Sequence, residues 1–221
     1  VKIGIIACDY PHLKTEQVIQ SFLRRGYQLK VYALPFEQRK PRDVLFQHRP
    51  IQTAGQHTGA IAKAHGIEYV RCENDTEIDS SCDIYHVLVG KIISAECIEG
   101  KRIINCHSGI IPAVRGLDAF NWAIYDMLPM GVTLHYIDAE VDKGEIISVV
   151  PTHVYADDTM ESLARRHYEN ELDVIADFEE RSKYPWNEYA EIETLPAHKR
   201  MGIEKQRALN ERFHRYIEVT T

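Results

Sequence analysis

Ile103–Gly116 reads IINCHSGIIPAVRG, and the way this stretch begins decides the fold class. Two β-branched residues lead into Asn105 and His107, after which Pro112 and the Arg115–Gly116 pair mark a loop, so a buried strand delivers polar groups to its own C-terminal end. Open α/β sheets keep their chemistry at that end. Because strand side chains alternate, Asn105 and His107 share one face and Cys106 points to the other. An amide donor and an imidazole therefore meet on one side of one strand.

Outward from this stretch the pattern is that of an α/β chain. Upstream, Val1–Cys8 is an apolar, β-branched run suited to a central parallel strand, Thr15–Arg25 reads as an amphipathic helix ended by Gly26, and Gln28–Leu34 alternates as a second strand. Ala60–Ala64 reads as helix, Ile67–Val70 as a brief strand, Asn74–Asp83 as polar surface and Ile84–Val89 as another apolar strand. Downstream, Leu117–Leu128 is an apolar-faced helix. Gly131–Ile137 and Glu145–Val154 are strands flanking the acidic loop 138–144, which predicts an antiparallel section after a parallel one. Asp158–Glu161 has the spacing of a capping box, and Met160, Leu163, Ala164, Tyr168, Leu172, Ile175 and Phe178 follow at helical spacing as core. Beyond Lys183, Pro185 and Pro196 interrupt regular structure before a last helix near Ile203–Ile217.

A chain of 221 residues buries a sizeable core. The division expected is a body over 1–182 and an extension over 183–221 that packs on it or joins a homodimer. With 26 Lys+Arg against 33 Asp+Glu, the net charge of −7 argues against a general nucleic-acid or membrane surface. No apolar run is long enough to span a bilayer and no basic segment precedes an apolar leader, so a cytoplasmic protein without membrane insertion is expected. Cys8, Cys72, Cys82, Cys97 and Cys106 are scattered without a CxxC pair, which suits reduced thiols and gives no zinc spacing.

The central stretch resembles the signature of the formyltetrahydrofolate-dependent formyltransferases: Asn-x-His, a loop of apolar residues and Pro, then Arg-Gly, and later Asp-x-Gly. Here these are Asn105, His107, Pro112, Arg115, Gly116, Asp142 and Gly144. The resemblance implies a Rossmann-like, mostly parallel sheet flanked by helices, with an antiparallel section in the second half. It implies 10-formyltetrahydrofolate as formyl donor and Asn105, His107 and Asp142 as the catalytic set. Gly90, Lys91 and Ile92 match the strand-end pattern that reads the pterin in this family, and Ile137, Asp138 and Val141 are expected on the same donor. A nucleophilic serine or cysteine route is not expected, since Ser108 lacks a G-x-S-x-G elbow and Cys106 faces away from His107.

The acceptor follows by elimination within the family. The first loop, Cys8–Glu16, reads CDYPHLKTE and lacks the Gly-Ser-rich phosphate cradle of the glycinamide ribonucleotide enzymes. The sequence leaves no room for the basic C-terminal domain of methionyl-tRNA formyltransferases or the added N-terminal domain of the hydrolases. Arg115–Asp118 followed by Trp122–Tyr125 resembles short sugar N-formyltransferases of bacterial surface-polysaccharide (lipopolysaccharide O-antigen) pathways. The expected partner is a dTDP- or UDP-linked amino deoxysugar, with no nucleic acid. Tyr10, His12 and Lys14 stand where a phosphate loop would be. Arg42, His48 and Arg49, part of a basic cluster with Arg39 and Lys40, are expected at the diphosphate, Arg115 at the acceptor, and Tyr10 and Trp186 against a base or sugar. The readings kept beside it are glycinamide ribonucleotide transfer, formyltetrahydrofolate hydrolysis and a non-catalytic folate or nucleotide binder.

Overall fold

In the computed structural model, residues 1–38, 41–138, 144–185, 187–189 and 191–221 are described. Among them the strands are β1 (Lys2–Cys8), β2 (Gln28–Leu34), β3 (Glu68–Arg71), β4 (Ile84–Val87), β5 (Ile103–His107), β6 (Gly131–Tyr136) and β7 (Ile146–Pro151). They form one sheet in the order β3-β2-β1-β4-β5-β6-β7. The pairs β1–β2, β1–β4, β2–β3 and β4–β5 are parallel, while β6 and β7 are antiparallel. Strand order reverses beside β1, with Ile3 opposite Leu29 on one side and Ile84 on the other. This is the mixed α/β sheet that the hydrophobic runs predict. The chain divides into two compact units, one of residues 1–39, 51–105 and 136–140, the other of 40–50, 106–135 and 141–221.

The first unit is built on β1, whose apolar residues Ile3, Ile5 and Ile6 are fully buried. That is why its sequence reads as a continuous apolar run with no alternation. Helix α1 (Leu13–Arg24) buries Val18, Ile19 and Phe22 along one stripe, and Gly26 follows it with φ +78°. Helices α2 (Thr58–Ala64) and α3 (Ala95–Ile98) complete this unit; α3 is too short to show a periodicity. The segment expected as polar surface is instead partly core: Ile78 and Asp75 are buried, and the Asp75 carboxylate accepts from the Ser94 backbone N–H and hydroxyl at 2.6 and 3.0 Å, while Asp79, which accepts from Lys30 and Tyr32, is exposed. Polar residues enter a core when each finds a donor.

The second unit carries α4 (Ala119–Tyr125), α5 (Met160–Ala176), α6 (Phe178–Lys183), α7 (Ile203–Arg207) and α8 (Leu209–Thr220). Phe120, Trp122 and Leu163 share a buried cluster with Met201, Leu209, Phe213 and Tyr216 from beyond residue 182. Trp122 Nε1 donates to the Lys199 carbonyl at 2.8 Å and the Tyr216 hydroxyl to Leu128 O at 2.9 Å, so buried aromatic polar atoms are satisfied. The cap of α5 sits one residue later than its sequence spacing suggests. Thr159 and Ser162 form the box, because Asp158 is engaged by both guanidinium nitrogens of Arg166 at 2.7 and 2.8 Å.

Candidate active site

β5 carries Asn105, half-buried, and His107, buried, two residues apart near its C-terminal end. Cys106 points elsewhere, its Sγ 3.9 Å from the Glu171 carbonyl. After His107 the chain turns back, and His107 Nε2 lies 2.8 Å from the Val114 carbonyl oxygen. A carbonyl only accepts, so Nε2 holds the proton and Nδ1 is the basic nitrogen of the neutral ring. Gly109 makes this approach feasible: a Cβ there would lie 2.4 Å from Val114 O and 2.9 Å from His107 Nε2.

The loop is fixed from two further directions. The Thr133 hydroxyl on β6 donates to Gly109 O at 2.8 Å and accepts from the Ile111 N–H at 3.0 Å. His167 on α5 reaches Ser108 O through Nε2 at 3.3 Å and the Thr152 hydroxyl through Nδ1 at 2.9 Å. Burial, aided by the charge of Arg49, outweighs Glu171 and pushes this imidazole down to about 4, so it is a neutral structural clamp. Sequence reasoning passed over His167 and Glu171. Their signal was present: both fall on the apolar stripe of α5, where a polar residue implies a buried partner.

The basic segment after residue 40 is held by carboxylates. Arg42 binds Asp118 through both terminal nitrogens at 2.9 and 3.1 Å, and Asp118 also accepts from the Met201 N–H at 3.0 Å and lies 3.5 Å from Arg200. Arg49 lies 3.1 Å from Glu171, whose side chain is 1% exposed. His48 stacks on Phe120 with ring centroids 5.7 Å apart, and burial, then the neighbouring Arg49, pushes it down to about 3. It carries no charge to offer an anion near neutral pH. Arg115 is buried and donates to Leu195 O at 2.9 Å.

In the first unit, Tyr10 stacks on Phe36 with centroids 3.9 Å apart, and His12 Nδ1 lies 2.7 Å from the Thr15 hydroxyl. Lys14 is buried, and its charge adds to burial in pushing His86 down to about 3. After β4, Lys91 pairs with Glu37 at 3.2 Å while Gly90 is half-buried and Ile92 is 71% exposed. The Ile137 N–H donates to Ile103 O at 2.9 Å, and Asp138 is exposed. Arg39, Lys40, Val141, Asp142 and Trp186 lie outside the described residues. Among the described residues, no group of three or more His, Cys, Asp or Glu could hold a metal ion, and no helix is long and apolar enough to cross a membrane.

Residues 47–178, more than half of the chain and the whole stretch from Asn105 to Gly144, match the Formyl transferase family. The chain belongs to that family. Among curated relatives, the phosphoribosylglycinamide formyltransferase of Bacillus subtilis is 35% identical over 68 residues, 30% of this chain and 35% of that protein. The alignments span between 27% and 48% of the curated relatives' own length. Among solved structures, a sugar N-formyltransferase from Shewanella superposes with a TM-score of 0.63 at 14% identity, covering 96% of this chain and 87% of that one. The phosphoribosylglycinamide formyltransferase of Bacillus halodurans gives 0.58 at 20%, covering 86% and 100%. At such identities these structures share the fold with this chain.

Proposed function

We propose that this formyl transferase moves a formyl group from 10-formyltetrahydrofolate to the primary amine of a nucleotide-linked amino deoxysugar, dTDP- or UDP-linked. The observation that carries the reading is the Asn105–His107 pair on β5, with the His107 ring held by the Val114 carbonyl. Bound at the end of β4 and β5, 10-formyltetrahydrofolate supplies an activated formyl group. Exposed Ile92, two residues after Gly90, suits the flat face of a pterin, with Lys91, Ile137 and Asp138 as further contacts to the donor.

Asn105 donates an amide N–H toward the carbonyl oxygen under attack, a contribution worth about 10²- to 10³-fold in turnover. His107, through Nδ1, accepts a proton from the attacking amine. Asp142 takes that proton from the imidazolium and relays it to the departing N10, so one carbon–nitrogen bond forms and the other breaks. On this reading residues 1–182 are the catalytic part and 183–221 an extension that closes it or joins a homodimer, in the cytoplasm. The pathway served is surface-polysaccharide, such as O-antigen, biosynthesis.

The acceptor reading is supported by the first loop, CDYPHLKTE, where His12 is turned onto Thr15 and Lys14 is buried, in place of a glycine-rich phosphate cradle. A second reading, transfer to glycinamide ribonucleotide, is favoured by the Bacillus subtilis relative. The test is a formyl-transfer assay with 10-formyltetrahydrofolate against amino-sugar nucleotides and glycinamide ribonucleotide, following product mass. A gain of one formyl group on a sugar nucleotide, reduced about 10²- to 10³-fold in Asn105→Ala, is expected. Transfer to glycinamide ribonucleotide alone overturns the acceptor and keeps the chemistry.

A further inference from the structure

A groove of ≈ 640 Å³ opens in the first unit, lined by His57, Gly59, Ala60, Lys63, Tyr69 and Arg71. Arg71 ends β3, His57 precedes α2, and Asp9, which follows β1, holds the walls together. The Tyr69 hydroxyl donates to Asp9 Oδ1 at 2.5 Å, Arg71 Nε lies 3.0 Å from Oδ2, and His57 Nε2 is 3.6 Å from Oδ1. Burial, reinforced by Asp9, holds the Tyr69 phenol far above its ordinary range, so it stays a neutral donor. The floor is cut for that ring: a Cβ on Gly59 would lie 3.3 Å from Tyr69 Cζ.

The charge balance of this groove is cationic. Among the described residues its lining holds no carboxylate, and Asp9 beside it is spent on Tyr69, Arg71 and His57. Lys63 is exposed and, among the described residues, makes no salt bridge, and the Arg71 side chain is 74% exposed. Joined to it is an aromatic face. The Thr58 hydroxyl at the start of α2 donates to the Tyr10 carbonyl at 2.9 Å and Pro11 bridges to His57, so the stacked pair of Tyr10 and Phe36, residues 37% and 45% exposed, adjoins the groove. Two exposed cations suit a diphosphate, and an exposed ring pair suits a base.

We propose that this groove binds the diphosphate of a nucleotide, through Lys63 and Arg71, with the Tyr10–Phe36 pair against the base. The proposal concerns binding and stands whether or not formyl transfer to a sugar nucleotide is found. The proposed acceptor brings such a diphosphate.

The test is isothermal titration calorimetry of the full chain with inorganic pyrophosphate, UDP and dTDP, repeated on Lys63→Gln/Arg71→Gln and on Lys63→Arg. Both residues are exposed, and circular dichroism checks that the variants fold. Expected are saturable binding of UDP or dTDP that weakens with added salt, a Kd raised about tenfold or more in the double variant, and near-native binding in Lys63→Arg. Absence of binding of all three probes at millimolar concentration, or an unchanged Kd in the double variant, overturns the proposal. Nucleotide binding lost in the double variant, with no formyl transfer to any sugar nucleotide, overturns the acceptor reading alone.

Discussion

Two cationic regions of this protein invite comparison. Residues 42–49 look in sequence like a phosphate site, with Arg42, His48 and Arg49 in one short segment. In the structure Arg42 is bound to Asp118 and Arg49 to Glu171, carboxylates whose side chains are 5% and 1% exposed, and His48 is neutral. Lys63 and Arg71 form no run in sequence, yet α2 and β3 bring both to one open groove, and the carboxylate that Arg71 meets, Asp9, is itself exposed by a quarter. A cation whose carboxylate is buried is committed to holding that carboxylate. Density of charge along the chain says little about charge available to a ligand.

The comparison breaks most sharply at Asp118. Replacing it by Ala leaves Arg42, Arg200 and the Met201 N–H without their shared acceptor. A loss of about 3–5 kcal/mol is expected in urea unfolding; a loss under about 1 kcal/mol means that Arg42 is not committed to structure after all. Arg49→Ala should cost about 2–4 kcal/mol by stranding the Glu171 carboxylate, and adding Glu171→Gln should return part of it, since a neutral amide is cheaper to bury than a charge.

A third pair of the same kind extends the pattern to pH. Burial of Asp158 opposes its ionisation, but Arg166, the Ser162 hydroxyl and the Tyr155 N–H together outweigh it and hold the carboxyl down at about 2. An unfolded aspartate titrates near 4, so the contribution is complete above about pH 4 and disappears as pH falls through about 2. About 1–2 kcal/mol should be lost over that window, discounted for the partly exposed Arg166, and Asp158→Asn should flatten acid unfolding there. The smallest effect belongs to the groove. Lys63→Gln/Arg71→Gln should lie within about 0.5 kcal/mol of the parent in stability, because exposed ion pairs contribute little. A larger loss would make the groove a structural feature like the 42–49 segment.

What the sequence discloses follows from what is local. β1 is legible because a strand buried on both faces must be apolar throughout, β2 is legible from its alternation, and β5 announces itself by ending in Asn105 and His107. The helix after Thr159 is legible from its stripe, but its cap is not, since Asp158 and Thr159 suit the position equally until Arg166 claims the first. Partnerships across long separations stay hidden: Arg42 with Asp118, Arg49 with Glu171, and Lys30 and Tyr32 with Asp79. The same holds for the site, where the residues that hold the His107 loop come from β6 and α5.

That bracing has a thermodynamic consequence. Ser108, Gly109 and Ile111 are each tied down by side chains from other elements, and the Val114 N–H donates to Ile110 O at 2.7 Å. A ligand that meets Asn105 and His107 encounters a segment whose conformational entropy was surrendered during folding. None of its contact energy is diverted to ordering that segment, and amide exchange at Ile111 and Val114 should be as slow before the ligand arrives as after.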